Sequence, residues 1–250
     1  MFSPRNICGI LFLFMVTIFL SSCASVPEGP PTDIIYSPMY GAARADLYHV
    51  IGPAETAYRI SKMYDVPIDA ILKANNVSDP RELRVGQRLL IPSAAPLRPV
   101  IPLFKSNKWK YIVVHHSVTD SGDARSLDAI HRKRGFDRGL GYDFVIDNGT
   151  NTRVDGQIEA SPRWIKQMEG AHCDANGMNQ CGVGICLVGD FTNERPTEKQ
   201  MESLVLLVNT LRRAYHIPMS HIIRHKDVPG KHTACPGNCF PWEEFRRRLR

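Results

Sequence analysis

The 250-residue chain predicts an α/β protein: a three-layer domain on a mixed sheet, preceded by a small βααβ module. Three observations carry this. Apolar runs of strand length, "KYIVVHHS" and "GVGICLVGDF", alternate with segments of helical period between residues 108 and 250. Such alternation builds a sheet covered by helices on both faces. The stretch "PSAAPLRPVIP" at 92–102 sets four prolines in eleven positions, which predicts a break without regular structure. Before it, residues 46–92 show two short strand patterns flanking two helical ones.

The N-terminus reads "MFSPRNICGILFLFMVTIFLSSC", with Arg5 ahead of the apolar run Ile7–Leu20 and small residues behind it. This is the pattern of a secretory signal, and the run is short for a bilayer span of about 20 residues. Leu20-Ser21-Ser22-Cys23 resembles the bacterial lipobox. That resemblance implies removal of residues 1–22 and acylation of Cys23, so that the protein hangs from a membrane by lipid. Ala24 after the cysteine implies the outer membrane, facing the periplasm. Residues 23–45, rich in Pro, Gly, Ser and Ala without a period, read as a tether.

In the first module "LYHVI" is a strand, and a helix around Thr56–Tyr64 puts Ala57, Ile60 and Tyr64 on one face. A second helix follows Pro67 with Ile68, Ile71 and Leu72 apolar, and the strand "RLLIP" closes the unit after Gly86. With "YHV", the Thr that opens the first helix, "YDVPIDAILKANN" and "LRVGQRLLIP", residues 46–92 resemble a LysM domain. The resemblance implies binding to N-acetylglucosamine units of peptidoglycan through Gly52, Glu55, Thr56, Asn75 and Asn76. The chain departs from the family in "GPAET", where a shorter turn is usual, and in Ala57, where leucine is common. Residues 93–107 read as a linker.

From Lys108 onward "SLDAIHRKRGF" is helical with Leu127, Ile130 and His131 inward, and "GYDFVID" is a strand ended by Asn148-Gly149. Thr197 and Gln200 stand at capping-box spacing before a stripe of Met201, Leu204, Val205, Val208 and Leu211. A last helix turns Trp242, Phe245 and Leu249 inward and exposes the basic face of "FRRRLR". The net charge of +6 is spread along the chain. It reads as solvated surface, and no nucleic-acid partner is expected.

Four polar constellations stand out: His115-His116, "GYDF", "GAHC" and "RHKDVPGKHTACPG". Their order over residues 108–242 resembles the zinc-dependent N-acetylmuramoyl-L-alanine amidases, the group of phage lysozyme-like amidases and peptidoglycan recognition proteins. The resemblance implies hydrolysis of the amide between N-acetylmuramic acid and L-alanine of the stem peptide, with peptidoglycan as partner and a protein activator as a further one. It also implies Zn2+ on His115, His225 and Cys235. Amide hydrolysis at neutral pH needs a nucleophile better than bulk water, and a zinc with three protein ligands and one open position supplies it. Ligands spread over the whole domain argue against a structural zinc finger.

The same resemblance puts Tyr142 near the metal-bound water, Thr233 and His172 as donors toward the oxyanion or substrate, and Cys186 where some relatives carry a glutamate. Successive strand side chains face opposite ways, so His115 and His116 cannot serve one ion. Ile112–Val114 suggest burial on both faces, so strand alternation cannot choose between them; the amidase pattern chooses His115 and leaves His116 to packing. Of the other cysteines, Cys173 and Cys181 are a candidate disulfide, Cys186 a buried thiol, and Cys239 either free or bridged to another cysteine. The alternative is a non-catalytic, peptidoglycan-binding recognition lipoprotein, which in this family has lost the metal cysteine; Cys235 is present.

Overall fold

The computed structural model describes residues 31–36 and 43–249; the signal segment, Cys23 and most of the tether lie outside the described residues. Strand β1 (Thr32–Ile35) precedes the first module. That module is β2 (Ala45–Val50), α1 (Ala57–Tyr64), α2 (Ile68–Ala74) and β3 (Arg88–Ala94). Strands β2 and β3 pair antiparallel, with His49 opposite Leu89. Thr56 caps α1, its hydroxyl accepting from Arg59 N at 3.2 Å. Ile60, Tyr64, Ile71, Leu89 and Ile91 close a small core of their own.

Both proline-rich stretches differ from their sequence reading. Strand β4 (Val100–Leu103) lies in the expected break, and β1 lies in the expected tether. They pair antiparallel with each other, Asp33 opposite Pro102. A two-stranded ribbon tolerates proline because each strand has one unpaired edge where a missing N–H costs nothing. Strand alternation then joins the modules: Val100 enters the first module's core and Ile101 the second's. Pro102 O accepts from Trp164 Nε1 at 2.7 Å, so the residues read as a linker are a strand shared between two cores.

The second module continues through β5 (Tyr111–His116), α3 (Ala124–Lys133), β6 (Phe144–Ile146) and β7 (Ile158–Ala160). Then come the short α4 (Pro162–Ile165) and α5 (Met178–Cys181), β8 (Gly182–Leu187), α6 (Glu198–Tyr215), β9 (Ile222–Arg224) and α7 (Trp242–Arg248). The sheet order is β7-β6-β8-β5-β9, with only the β6–β7 pair antiparallel. Ile112, Val114, Ile185 and Leu187 pack on one face against Leu204, Leu207, Val208 and Leu211 of α6 and Phe245 of α7. Each such fully buried side chain contributes about 1.5–3 kcal/mol. On the other face Val145, Cys186 and Val188 meet Ala124 and Leu127 of α3. This is the three-layer mixed-sheet architecture. Among the described residues no helix is long and apolar enough to cross a membrane.

One arginine crosses from the second module to the first. Arg153 Nη1 donates to Val50 O at 2.8 Å, and its Nη2 pairs with Glu159 at 2.7 Å with both side chains almost wholly buried. A Cβ on Gly52 would lie 2.8 Å from Arg153 Nη2. Beside it Glu55 accepts from Gly52 N at 2.6 Å and pairs with His49 Nε2 at 2.8 Å. Burial and the neighbouring acids Glu55 and Asp123 push Glu159 up to about 7, while Arg153 opposes them.

Candidate active site

The end of β5 carries both adjacent histidines, and the parallel register sets His115 beside Cys186 of β8. Alternation sends His116 to the α6 face, where Nδ1 accepts from Phe191 N at 3.2 Å and the ring packs 5.9 Å from Phe191. His115 faces the opposite side. There its ring centroid lies 4.5 Å from that of His225 and 5.2 Å from Tyr142.

The loop after β9 brings the remaining donors. A 3-10 turn, His225–Asp227, starts it, and Lys226 N donates to Cys235 O at 2.9 Å, tying its two ends together. Cys235 Sγ consequently lies 3.7 Å from His115 Nδ1 and accepts from His116 N at 3.4 Å. One donor atom from each of His115, His225 and Cys235 falls within 4.8 Å of the others. His225 Nε2 is buried without a hydrogen-bond partner, which a metal ligand would satisfy.

Electrostatics keep this cluster neutral in the metal-free protein. Burial, then the surrounding imidazoles, pull His115 well below its ordinary value, and burial with Lys231 pulls His225 to about 4. Burial pushes the Cys235 thiol up to about 12, against the opposing His116 amide. Two neutral imidazoles and a thiol suit a borderline-soft cation, which would release the thiol proton on binding. The set fits zinc.

A cleft of about 410 Å3 opens over these atoms, within the roughly 300–1,000 Å3 range of small-ligand sites. Among the described residues, none that line it carries a carboxylate. Tyr142 lies in its wall; burial and the sulfurs of Cys186 and Cys235 push its phenol well above the ordinary range. It therefore stays protonated at neutral pH. Thr233 is exposed at the mouth, and its hydroxyl accepts from Cys235 N at 3.2 Å.

Other expectations change. His172 is buried, with Nε2 3.2 Å from Gly182 O and Nδ1 3.1 Å from His115 Nε2. Both ring nitrogens are spent, so it has no donor left for substrate or oxyanion. All five described cysteines are unpaired thiols, including Cys173 and Cys181. Cys181 Sγ turns to Gly177 O at 3.2 Å, whereas Cys173 packs with Val113, Met178 and Val228. In the first module Gly52 and Glu55 are closed off by Arg153 and His49, and the Asn75 amide is spent on Ile71 O, Leu90 O and Leu90 N. Of the expected glycan contacts Thr56 and Asn76 stay exposed.

Sequence reasoning missed Asp143, buried under β8, whose Oδ2 accepts from Gly184 N at 2.8 Å. Burial pushes it up to about 7 against that amide and the distant Lys108 and Arg163. A carboxyl raised in the folded state stabilises fully below its unfolded value of 3.8, and that stability is lost as pH rises through about 7. Between pH 6 and 8 the wild type should lose about 1 kcal/mol relative to Asp143→Asn, measured as the difference in denaturant midpoints. A difference that stays constant with pH would contradict the buried neutral carboxyl.

Comparison with known proteins identifies the two domains. The family model described as N-acetylmuramoyl-L-alanine amidase matches residues 105–238, and the LysM domain model matches residues 49–92. Peptidoglycan-recognition protein 2 of Holotrichia diomphalia is 29% identical over 152 residues, covering 55% of this chain and 75% of that protein. A peptidoglycan recognition protein of Trichoplusia ni is 24% identical over 160 residues, covering 60% and 81%. Among solved structures, N-acetylmuramoyl-L-alanine amidase LysC from Clostridium intestinale URNW is 36% identical with a TM-score of 0.47, covering 58% of this chain and 90% of that one. With the amidase model spanning more than half of its length and the LysM model the module before it, the chain belongs to the N-acetylmuramoyl-L-alanine amidase family and carries a LysM domain.

Proposed function

We propose that the protein is a zinc-dependent peptidoglycan hydrolase that cuts the amide between N-acetylmuramic acid and L-alanine of the stem peptide. The observation that carries this is the convergence of His115, His225 and Cys235 at the floor of an open cleft. Zinc held there would supply a water that ionises near pH 7 and would polarise the scissile carbonyl.

The chain's own groups do the rest. Tyr142 keeps its proton and presents a phenol beside His115, a donor for the oxygen that gains charge in the transition state. Thr233 accepts from the Cys235 amide with its oxygen, and its own hydroxyl hydrogen remains to donate to substrate at the cleft mouth. Among the described residues the cleft wall carries no carboxylate, so water carries the proton to the leaving amine. The LysM domain holds the enzyme on glycan strands through the side still open, around Thr56 and Asn76. Acylation of Cys23 would place the whole unit on the outer membrane, facing the periplasm.

Incubation with purified sacculi tests the reading. Stem peptides with a free L-alanine amino terminus should appear, and a chelator should stop their release. Zinc-loaded protein that leaves every such amide intact would sink it.

A further inference from the structure

His172 stands between the metal-ligand set and the main chain of β8. Its Nε2 lies 3.2 Å from Gly182 O, and a carbonyl only accepts, so Nε2 carries the hydrogen. A neutral imidazole then has a bare lone pair on the other nitrogen, here Nδ1, which lies 3.1 Å from His115 Nε2. His115 Nε2 must therefore donate, which leaves the lone pair of His115 on Nδ1. That is the nitrogen 3.7 Å from Cys235 Sγ.

The ring is held in place for this contact. A Cβ on Gly170 or on Gly184 would lie 2.5 Å from a ring carbon of His172, so both positions leave room that a side chain would fill. Asn179 Oδ1 accepts from the main-chain amides of His172 and Cys173 at 2.9 and 2.8 Å. The loop that carries the ring is fixed at its own backbone.

We propose that His172 is a positioning residue: with the Gly182 carbonyl it locks His115 in the Nε2–H tautomer and aims Nδ1 at the metal. This rests on the metal reading given above and replaces the role of substrate donor for His172. Partners of this kind orient a ligating histidine and are worth about 10–100-fold in metal affinity.

Three measurements test it on the full chain. In zinc-free wild-type protein, nitrogen NMR of the His115 ring should show hydrogen on Nε2; hydrogen on Nδ1 overturns the proposal. Chelator competition should show zinc held about 10–100-fold more weakly by His172→Leu. His172→Asn, whose Oδ1 stands near the place of Nδ1 and still accepts, should recover most of the loss. KM for a muropeptide should stay unchanged in the Asn variant, since both ring nitrogens of His172 already have partners within the protein. Equal zinc affinity in all three proteins, or a raised KM with unaltered zinc affinity, overturns the proposal. Should His172→Leu fail to fold, the wild-type tautomer and the Asn variant still decide. A wild type that takes up no zinc yet shows hydrogen on Nε2 overturns the metal reading while supporting the tautomer assignment.

Discussion

Cys235→Ser should bind no zinc at micromolar metal and should lose at least about a thousandfold in kcat/KM on muropeptides, roughly 4 kcal/mol of barrier. The thiol is the donor that a cation can deprotonate in this set, and a serine hydroxyl cannot replace it near neutral pH. The fold should survive, because Cys235 is uncharged in the metal-free protein, with its thiol pushed up to about 12 by burial. Inductively coupled plasma analysis gives the metal content, and circular dichroism the fold. His116→Ala is the matched control and should keep its zinc, since its ring packs on Phe191, on the other side of β5. Loss of metal from His116→Ala, with His115→Ala retaining it, would mean that the ligand assignment is off by one residue.

Arg153→Met should destabilise the protein by about 3–5 kcal/mol, the range for breaking a buried ion pair from one side. The methionine fills part of the space but leaves Glu159 and Glu55 facing each other, with Asp123 close by, and no cation between them. The bond to Val50 O is lost with it, so the LysM domain should also loosen from the amidase domain. Two unfolding steps in a denaturant titration, where the wild type shows one, would be the signature. A single transition at the wild-type midpoint would show that the ribbon of β1 and β4 alone joins the domains.

Much of the site is legible in the sequence. The strand run ending in His115 and the turn-rich loop from His225 to Cys235 are local patterns, and their order along the chain matches that of a known family. Tertiary arrangement was harder to read. Val100 and Ile101 look like the end of a proline-rich break, yet each belongs to a different core, because pairing with β1 depends on a partner more than sixty residues away in sequence. Glu55 and Gly52 read as an exposed sugar-binding turn; the arginine that covers them comes from the other domain. The motif marks His172 as functional, but its role depends on Gly182 O and on the space above Gly184. No sequence spacing reveals those contacts.

The most direct test of the account is mass spectrometry of sacculi digested with the zinc-loaded protein and, in parallel, with His225→Ala. The wild type should yield glycan strands stripped of their stems and free peptides beginning at L-alanine, and the variant neither. Identical digests, or cleavage by the wild type at a glycosidic bond or within the stem, would contradict it.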